Sequence, residues 1–357
     1  MRERILEKSS VEAQNLLWSG SCVESGDTYR VIADELIAGR RIRFKLIQSD
    51  ELPHPGFIRS WLISIRAISL TATFTPCLAV LLLALAQGRS IHVVTAVCAL
   101  LGVICLQIAV NVLNDVQDHL RLIDLPGSVG GSGVIQKGWI AARSLNRFGY
   151  GTLALGVLLG LPALIANPAL ILGVGALAVL GVMGYSGWPF HFKYRALGDL
   201  VVWVLCGPAI TAGFAVASWG GFSRGDLILG AVLGLGAVAI LHANNLNDLE
   251  VDRDRGARTL AGKLGFTRSK QFLVINYLAL FVVVWDLARI SWVVPLVTML
   301  GIFPALRILR TVSRASGPLD PSIRLIRFQT AQLHLLIGLL LCVGIGITWG
   351  FGLSSGL

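Results

Sequence analysis

Two short acidic stretches carry residue types that can do chemistry. Asn111-Val112-Leu113-Asn114-Asp115 is followed by Asp118 and Asp124, and Asn244-Asn245-Leu246-Asn247-Asp248 is followed by Glu250 and Asp252. Each ends a long apolar run, and each reads Asn-x-Leu-Asn-Asp. The spacings Asn111, Asp115, Asp118 and Asn244, Asp248, Asp252 keep three oxygen-bearing side chains roughly on one face of a helix. Carboxylates at the edge of a hydrocarbon layer are expensive, so they mark a functional site by default. Magnesium takes hard oxygen ligands, usually one or two carboxylates completed by phosphate oxygens and water. Two such helix ends facing each other would hold two metal ions with a diphosphate between them. Two other readings stay open on these residues alone: helix-end charges neutralised by nearby arginines, and the cation site of a transporter.

A departing diphosphate needs cations and hydrogen-bond donors where its charge develops. Lys193, Tyr194 and Arg195 stand together in a short loop just before Gly198 and Asp199. Arg143, Arg253 and Arg258 are further candidates, with ordinary loop positions as the plain alternative. Gly130-Gly131-Ser132-Gly133 offers backbone N–H groups to a phosphate, or is simply a flexible loop. The six histidines form no metal set. His119 and His242 border the acidic stretches and are placed to assist, whereas His92 and His334 read as helix-end or packing residues. The six cysteines show no metal spacing and no disulfide framework, and five lie in apolar runs as small packing residues.

The elements that must position these groups are membrane helices. The chain is 55% hydrophobic and 14% charged with a mean hydropathy of +0.74, against about 25% charged in a soluble domain. A spanning helix needs about 20 mostly apolar residues. Nine such runs are expected at 67–87, 91–113, 148–166, 168–187, 199–219, 226–246, 271–288, 291–309 and 330–350. The Lys and Arg residues fall mostly before the first run and after the second, fourth, sixth and eighth. Only Arg89, Arg224 and Arg289 fall on the other side. This asymmetry predicts an odd number of spans, a cytoplasmic N-terminus and both acidic stretches on the cytoplasmic face of the cell membrane. The net charge of +10 is then mainly this bias, helped by anionic membrane lipid, and no nucleic-acid partner is expected. The charged start, Met1 to Lys8, is not followed by an apolar run, so no cleavable signal peptide is expected.

Residues 1–58 read as a cytosolic N-terminal arm and 59–357 as the transmembrane domain. Within the arm, Ser9-Ser10-Val11-Glu12 resembles a capping box. Residues 29–38 are expected to form a short amphipathic helix ended by Gly39, and Arg41 to Leu46 alternates as a half-buried strand does. The chemistry-bearing residues all lie after residue 110, so the arm is expected to lie outside the catalytic cavity. The recurrence of Asn-x-Leu-Asn-Asp, each time followed by a loop with Gly and basic residues, hints at a duplicated bundle.

Taken together, the motifs resemble those of the UbiA superfamily of intramembrane prenyltransferases, most closely its 1,4-dihydroxy-2-naphthoate polyprenyltransferase branch, which serves menaquinone biosynthesis. The resemblance covers about residues 60–350. It rests on Asn111-x-x-Asn114-Asp115-x-x-Asp118 with Asp124, and on Gly131-Ser132-Gly133-Val134-Ile135-Gln136-Lys137-Gly138. It rests also on Asn244 to Asp248 with Asp252, on Arg258-Thr259-Leu260-Ala261 with Leu264-Gly265, and on Tyr185, Pro189, Tyr194-Arg195, Gly198-Asp199 and Gly207-Pro208. The chain departs at Val116-Gln117, where an aromatic residue often follows the first Asn-Asp, and in its longer arm. The resemblance implies an all-α bundle of nine transmembrane helices around a central cavity, with a lateral opening to lipid. It implies a magnesium-dependent membrane prenyltransferase, with a polyprenyl diphosphate and an aromatic acceptor as partners and demethylmenaquinone as the product. The implied metal set is Asn111, Asn114, Asp115, Asp118, Asp124, Asn244, Asp248 and Asp252. Asp115, Asp118, Asp248, Lys193 and Arg195 are the expected catalytic residues, with Lys193, Tyr194, Arg195, Arg143 and Arg258 on the diphosphate. A prenyltransferase for another ring, a terpene cyclase with the same metal site and a cation-coupled transporter are the rival expectations.

Overall fold

The computed structural model describes residues 2–48, 50–128 and 130–353. The chain begins with a small sheet. Strands β1 (Arg2–Glu7), β2 (Ser21–Glu24), β3 (Asp27–Ile37) and β4 (Arg41–Gln48) pair antiparallel in the order β1-β4-β3-β2. Helix α1 (Val11–Ser19) packs Ala13, Leu16 and Leu17 with the inward residues Ile42, Phe44 and Leu46 of β4. The alternation expected at Arg41 to Leu46 is thus a strand, with Arg43 and Lys45 outward on Glu35 and Asp34. Ser10 caps α1 by accepting from the Ala13 N–H, but Glu12 pairs with Arg4 rather than closing the box.

The helix expected at 29–38 is instead strand β3. Tyr29, Val31 and Ala33 point into the core with the period of two that a strand requires. A bulge between Ala33 and Glu35 then shifts the phase, so that Leu36 and Ile37 imitate a helical spacing. Ala38 and Gly39 both take positive φ, 49° and 69°, and the Arg40 N–H returns to the Ile37 carbonyl at 3.1 Å. That is the reversed turn that matches the twist of a hairpin.

The rest is helical: α2 (Phe57–Ile65), α3 (Thr71–Ala86), α4 (Val93–Leu120), α5 (Ala142–Ala166), α6 (Pro168–Ser186), α7 (Gly198–Val204), α8 (Ile210–Trp219), α9 (Arg224–Asn247), α10 (Leu249–Asp254), α11 (Leu260–Trp285), α12 (Val293–Thr298), α13 (Ile302–Arg314) and α14 (Ile326–Gly350). Among the described residues eight helical segments are long and apolar enough to cross a membrane, and the first expected span corresponds to the shorter α3. α7 and α8 form one span, kinked at Leu205–Ala209, where Gly207 leaves helical geometry and Pro208 has no N–H to donate. α12 and α13 likewise share one span.

The main core joins α9, α11 and α14 through residues such as Leu233, Leu273, Tyr277, Leu280 and Ile337. Leu158, Ile165, Ile275, Val282 and Phe303 are exposed, as lipid-facing residues are. The fold is therefore an all-α integral membrane bundle with a small sheet at its start.

Candidate active site

The first acidic stretch sits on the last turns of α4. That helix runs seven residues past the expected span edge, because hydrogen bonding continues where hydropathy stops. Asp115 pairs with Arg66 and accepts from the Ser132 N–H at 2.9 Å. Asp118 accepts from Lys193 Nζ at 2.6 Å, Tyr194 Oη at 2.7 Å and Asn114 Nδ2 at 2.8 Å. Asn111 donates to Ser69 Oγ at 2.6 Å and to the Ile65 carbonyl at 3.2 Å. Asp124 lies in the loop beyond. A Cβ on Gly131, whose φ is +67°, would stand 2.6 Å from Asp124 Oδ2, so glycine is required there on both counts.

The second stretch ends α9. Asp248 stands at the break between α9 and α10, and Asp252 is buried in α10. The Cβ that Gly130 lacks would lie 3.2 Å from Asp248 Oδ2 and 3.4 Å from Asp124 Oδ1, so carboxylates of both stretches converge on this one loop. Asn244 faces the cavity described below. Asn247 turns away and donates to the Ile323 and Arg324 carbonyls, 3.2 Å each. The bordering histidines also turn away: His119 Nε2 reaches the Leu17 carbonyl at 3.1 Å, and His242 Nδ1 meets Asp199 Oδ1 at 2.9 Å.

Lys193 and Tyr194 are aimed inward by a tight turn, Phe192–Arg195, flanked by two non-glycine residues in the left-handed region, His191 and Ala196. Such residues cost about 1–2 kcal/mol each and persist only where surrounding contacts fix them. Here Arg121 lies over the Tyr194 ring at 4.2 Å and reaches His191 Nδ1 at 3.0 Å, and both inward residues bond Asp118. Arg195 in the same turn is exposed, as are Arg143, Arg253 and Arg258. The cations brought to the site are different ones. Arg66, at the edge of the first apolar run, holds Asp115. Arg255 reaches the Ile123 carbonyl and Ser128 Oγ, tying α10 to the Asp124 loop. Arg327 lines the cavity beside Phe328. The only sequence signal for Arg255 was its position three residues after Asp252; Arg66 and Arg327 looked like ordinary basic residues at the ends of spans.

Burial, then the Asp118 carboxylate, pushes Asp124 up to about 7, and burial likewise pushes Asp252 up to about 7. Burial works against the Lys193 ammonium, yet the neighbouring carboxylates, Asp118 foremost, hold its pKa above the ordinary value. Among the described residues no three His, Cys, Asp or Glu side chains surround a single point. No Lys or Arg pairs directly with Asp124 or Asp252 among them either. A cluster of buried carboxylates in need of positive charge, too open to cage an ion alone, fits magnesium completed by phosphate oxygens and water.

From this polar mouth a cavity of about 1010 Å³ runs between α4, α5, α6 and the kinked α7–α8 span. Asn111, Asn114, Ser132, Lys193 and Asn244 line its mouth, and its walls are otherwise mostly apolar. Gly160 and Gly175 border it with open space where a side chain would stand.

The profile of the UbiA prenyltransferase family matches residues 73–328. The chain is 30% identical over 227 residues to the 1,4-dihydroxy-2-naphthoate octaprenyltransferase of Escherichia coli (strain K12), covering 60% of this chain and 71% of that one. It is 28% identical over 309 residues to UbiA prenyltransferase domain-containing protein 1 of Homo sapiens, covering 84% and 87%. Among solved structures, a UbiA homolog from Archaeoglobus fulgidus bound to GPP and Mg2+ superposes with a TM-score of 0.56 at 15% identity, covering 80% and 99%. The fold, the paired acidic motifs and these likenesses agree: the chain belongs to the UbiA prenyltransferase family.

Proposed function

We propose that the chain transfers a polyprenyl group from a polyprenyl diphosphate to an aromatic acceptor, 1,4-dihydroxy-2-naphthoate foremost, giving the quinol form of demethylmenaquinone. The observation that carries this reading is the convergence of both acidic motifs and Lys193 on the mouth of a long apolar cavity. The relative from Escherichia coli and the Archaeoglobus structure with GPP and Mg2+ support the acceptor and the metal respectively.

Asn111, Asn114, Asp115, Asp118, Asp124, Asn244, Asp248 and Asp252 would hold magnesium. When bound there it supplies charge neutralisation to the departing diphosphate. Lys193 spends one N–H on Asp118 and keeps two for diphosphate oxygens. Tyr194 donates its hydroxyl hydrogen bond to Asp118, so its part is to hold that carboxylate in place. The allylic carbon–oxygen bond breaks and its electron pair leaves on the diphosphate. A ring carbon of the acceptor then bonds to the allylic carbon, and the ring carboxylate is lost as carbon dioxide. The apolar cavity keeps water from the cation and shelters the tail. The Lys and Arg asymmetry supports a mouth on the cytoplasmic side of the cell membrane.

A different aromatic acceptor would use the same diphosphate site. A transporter would place its carboxylates near mid-membrane on broken helices, whereas these lie together at one end of α4 and α9. The test is mass spectrometry of products from purified protein given magnesium, a panel of prenyl diphosphates and candidate acceptors. Prenylated, decarboxylated naphthoquinol is the expected product. Its absence, with another ring prenylated, would replace the acceptor, and no prenylation of any ring would overturn the reading.

A further inference from the structure

Among the described residues nothing before Leu62 lines the cavity, yet the core of the N-terminal sheet is completed by the loop that carries Asp124. Leu122 is fully buried and Leu125 nearly so, both in one cluster with Leu16, Leu17, Phe44 and Leu46. We propose that the sheet unit, residues 2–48, is a positioning element for the magnesium–diphosphate site, acting through Leu122 and Leu125 on Asp124. This rests on the function proposed above.

The geometry of the loop is specific. The N–H groups of Ile123 and Asp124 both return to the Asp118 carbonyl, at 2.8 and 3.3 Å, so the chain folds back tightly after α4. Successive side chains then part. Leu122 and Leu125 enter the sheet core, while Ile123 packs with Tyr194 and Ala257 on the other side. Asp124 is left between two anchors, with its carboxylate against Gly130 and Gly131. Leu122 takes φ +63°, an arrangement a leucine adopts only when packing compels it.

The same unit grips both neighbours of the loop. His119, next to Asp118, donates from Nε2 to the Leu17 carbonyl of α1. Beyond the glycine run, a Cβ on Gly138 would stand 3.5 Å from Ile32 of β3; the chain just past the sheet adds Leu52, 3.1 Å from the same point, and the Pro53 carbonyl, which accepts from the Trp139 indole N–H at 2.8 Å. The sheet therefore touches the acidic loop at its start, its middle and its end without touching the cavity.

Coupling of this kind is reciprocal: if the sheet holds the site in shape, ligand at the site must steady the sheet. Hydrogen exchange of the full-length protein, with and without magnesium and inorganic diphosphate, reads this directly. Slower exchange is expected at 115–128 and 244–256, and also in α1 and β4. Slowing confined to the motif segments would overturn the positioning role and leave the proposed function standing. No slowing at the motifs would overturn both.

A second measurement uses Leu122→Ala, Phe44→Ala and the size-conserving Leu122→Met. The two alanine variants should raise the magnesium concentration for half-maximal activity about tenfold. Turnover at saturating magnesium should stay within about threefold of the parent, and Leu122→Met should behave like the parent. Alanine variants with less folded protein but unchanged magnesium dependence would show a merely structural contact.

Discussion

Lys193 Nζ lies 2.6 Å from Asp118 Oδ2, joining two positions 75 residues apart, and the side chains are only 13% and 3% exposed. A charge-assisted bond this well buried is strong. It takes one of the three ammonium N–H groups and leaves two.

Replacing Lys193 should therefore hit both chemistry and folding. Loss of one preorganised charge-stabilising donor typically lowers turnover by roughly 10²–10³-fold. Stranding Asp118 without its buried partner costs about 3–5 kcal/mol. Lys193→Met should lower kcat/KM for the prenyl diphosphate by about that kinetic factor and leave the acceptor KM nearly unchanged. Arg195→Ala, in an exposed position, should stay within a few-fold. Steady-state kinetics with each substrate varied would decide it, and equal losses in the two variants would contradict the assignment.

Asp115→Asn and Asp248→Asn remove one carboxylate from each motif while keeping volume. Each should bring prenyl transfer to background in a protein that still elutes as a folded species. Near-normal product from either, with magnesium present, would separate the motifs into two independent sites.

The buried carboxylates set a pH dependence. Asp124 and Asp252, raised by burial to about 7, favour their protonated forms in the metal-free protein. Their contribution to metal-free stability is therefore complete below pH 4 and is lost as pH rises through about 7. Metal binding needs the deprotonated forms, so it runs the other way. Magnesium affinity should increase roughly tenfold per pH unit below 7 for each proton that must leave. Calorimetric titration at pH 6 and pH 8 should show tighter binding at pH 8, and equal affinities would remove these two carboxylates from the metal set.

Gly160 and Gly175 face the cavity with room for a side chain. Gly160→Leu and Gly175→Leu should each shorten the longest prenyl diphosphate accepted and leave short ones usable. Competition between chain lengths, read by product mass, tests this. An unchanged length profile would place the tail elsewhere.

Much of the site was legible because its chemistry is written in short helical spacings. Asn111, Asp115 and Asp118 share a helix face, and the structure sets the second motif opposite them. Lys193 was legible as a basic residue beside a Gly-Asp, but its difference from Arg195 was not. That difference comes from the two left-handed residues that twist one side chain in and leave the other out. Arg66 was hidden because a basic residue at the edge of an apolar run has an ordinary explanation in membrane orientation. Strand β3 was hidden by its bulge, which shifts the apolar pattern into something helix-like. The extension of α4 to Leu120 was missed because polarity ends a hydropathy window without ending a helix.

Leu122 also constrains topology and the order of assembly. It closes a core begun by residues 2–48, yet the intervening chain passes through α2, α3 and α4. α4 starts at the opposite end of the bundle, where the His92 N–H bonds the Ser218 carbonyl at the end of α8. The chain must therefore go out and come back, and α3 must make the outward crossing. With 16 residues it is shorter than the ~20 a lone span requires. The turn Ala67–Leu70 lengthens it, and contacts with α8, α9 and α14 surround it with protein as well as lipid. The sheet core is complete only once two membrane passages have returned Leu122 to the side on which the chain began.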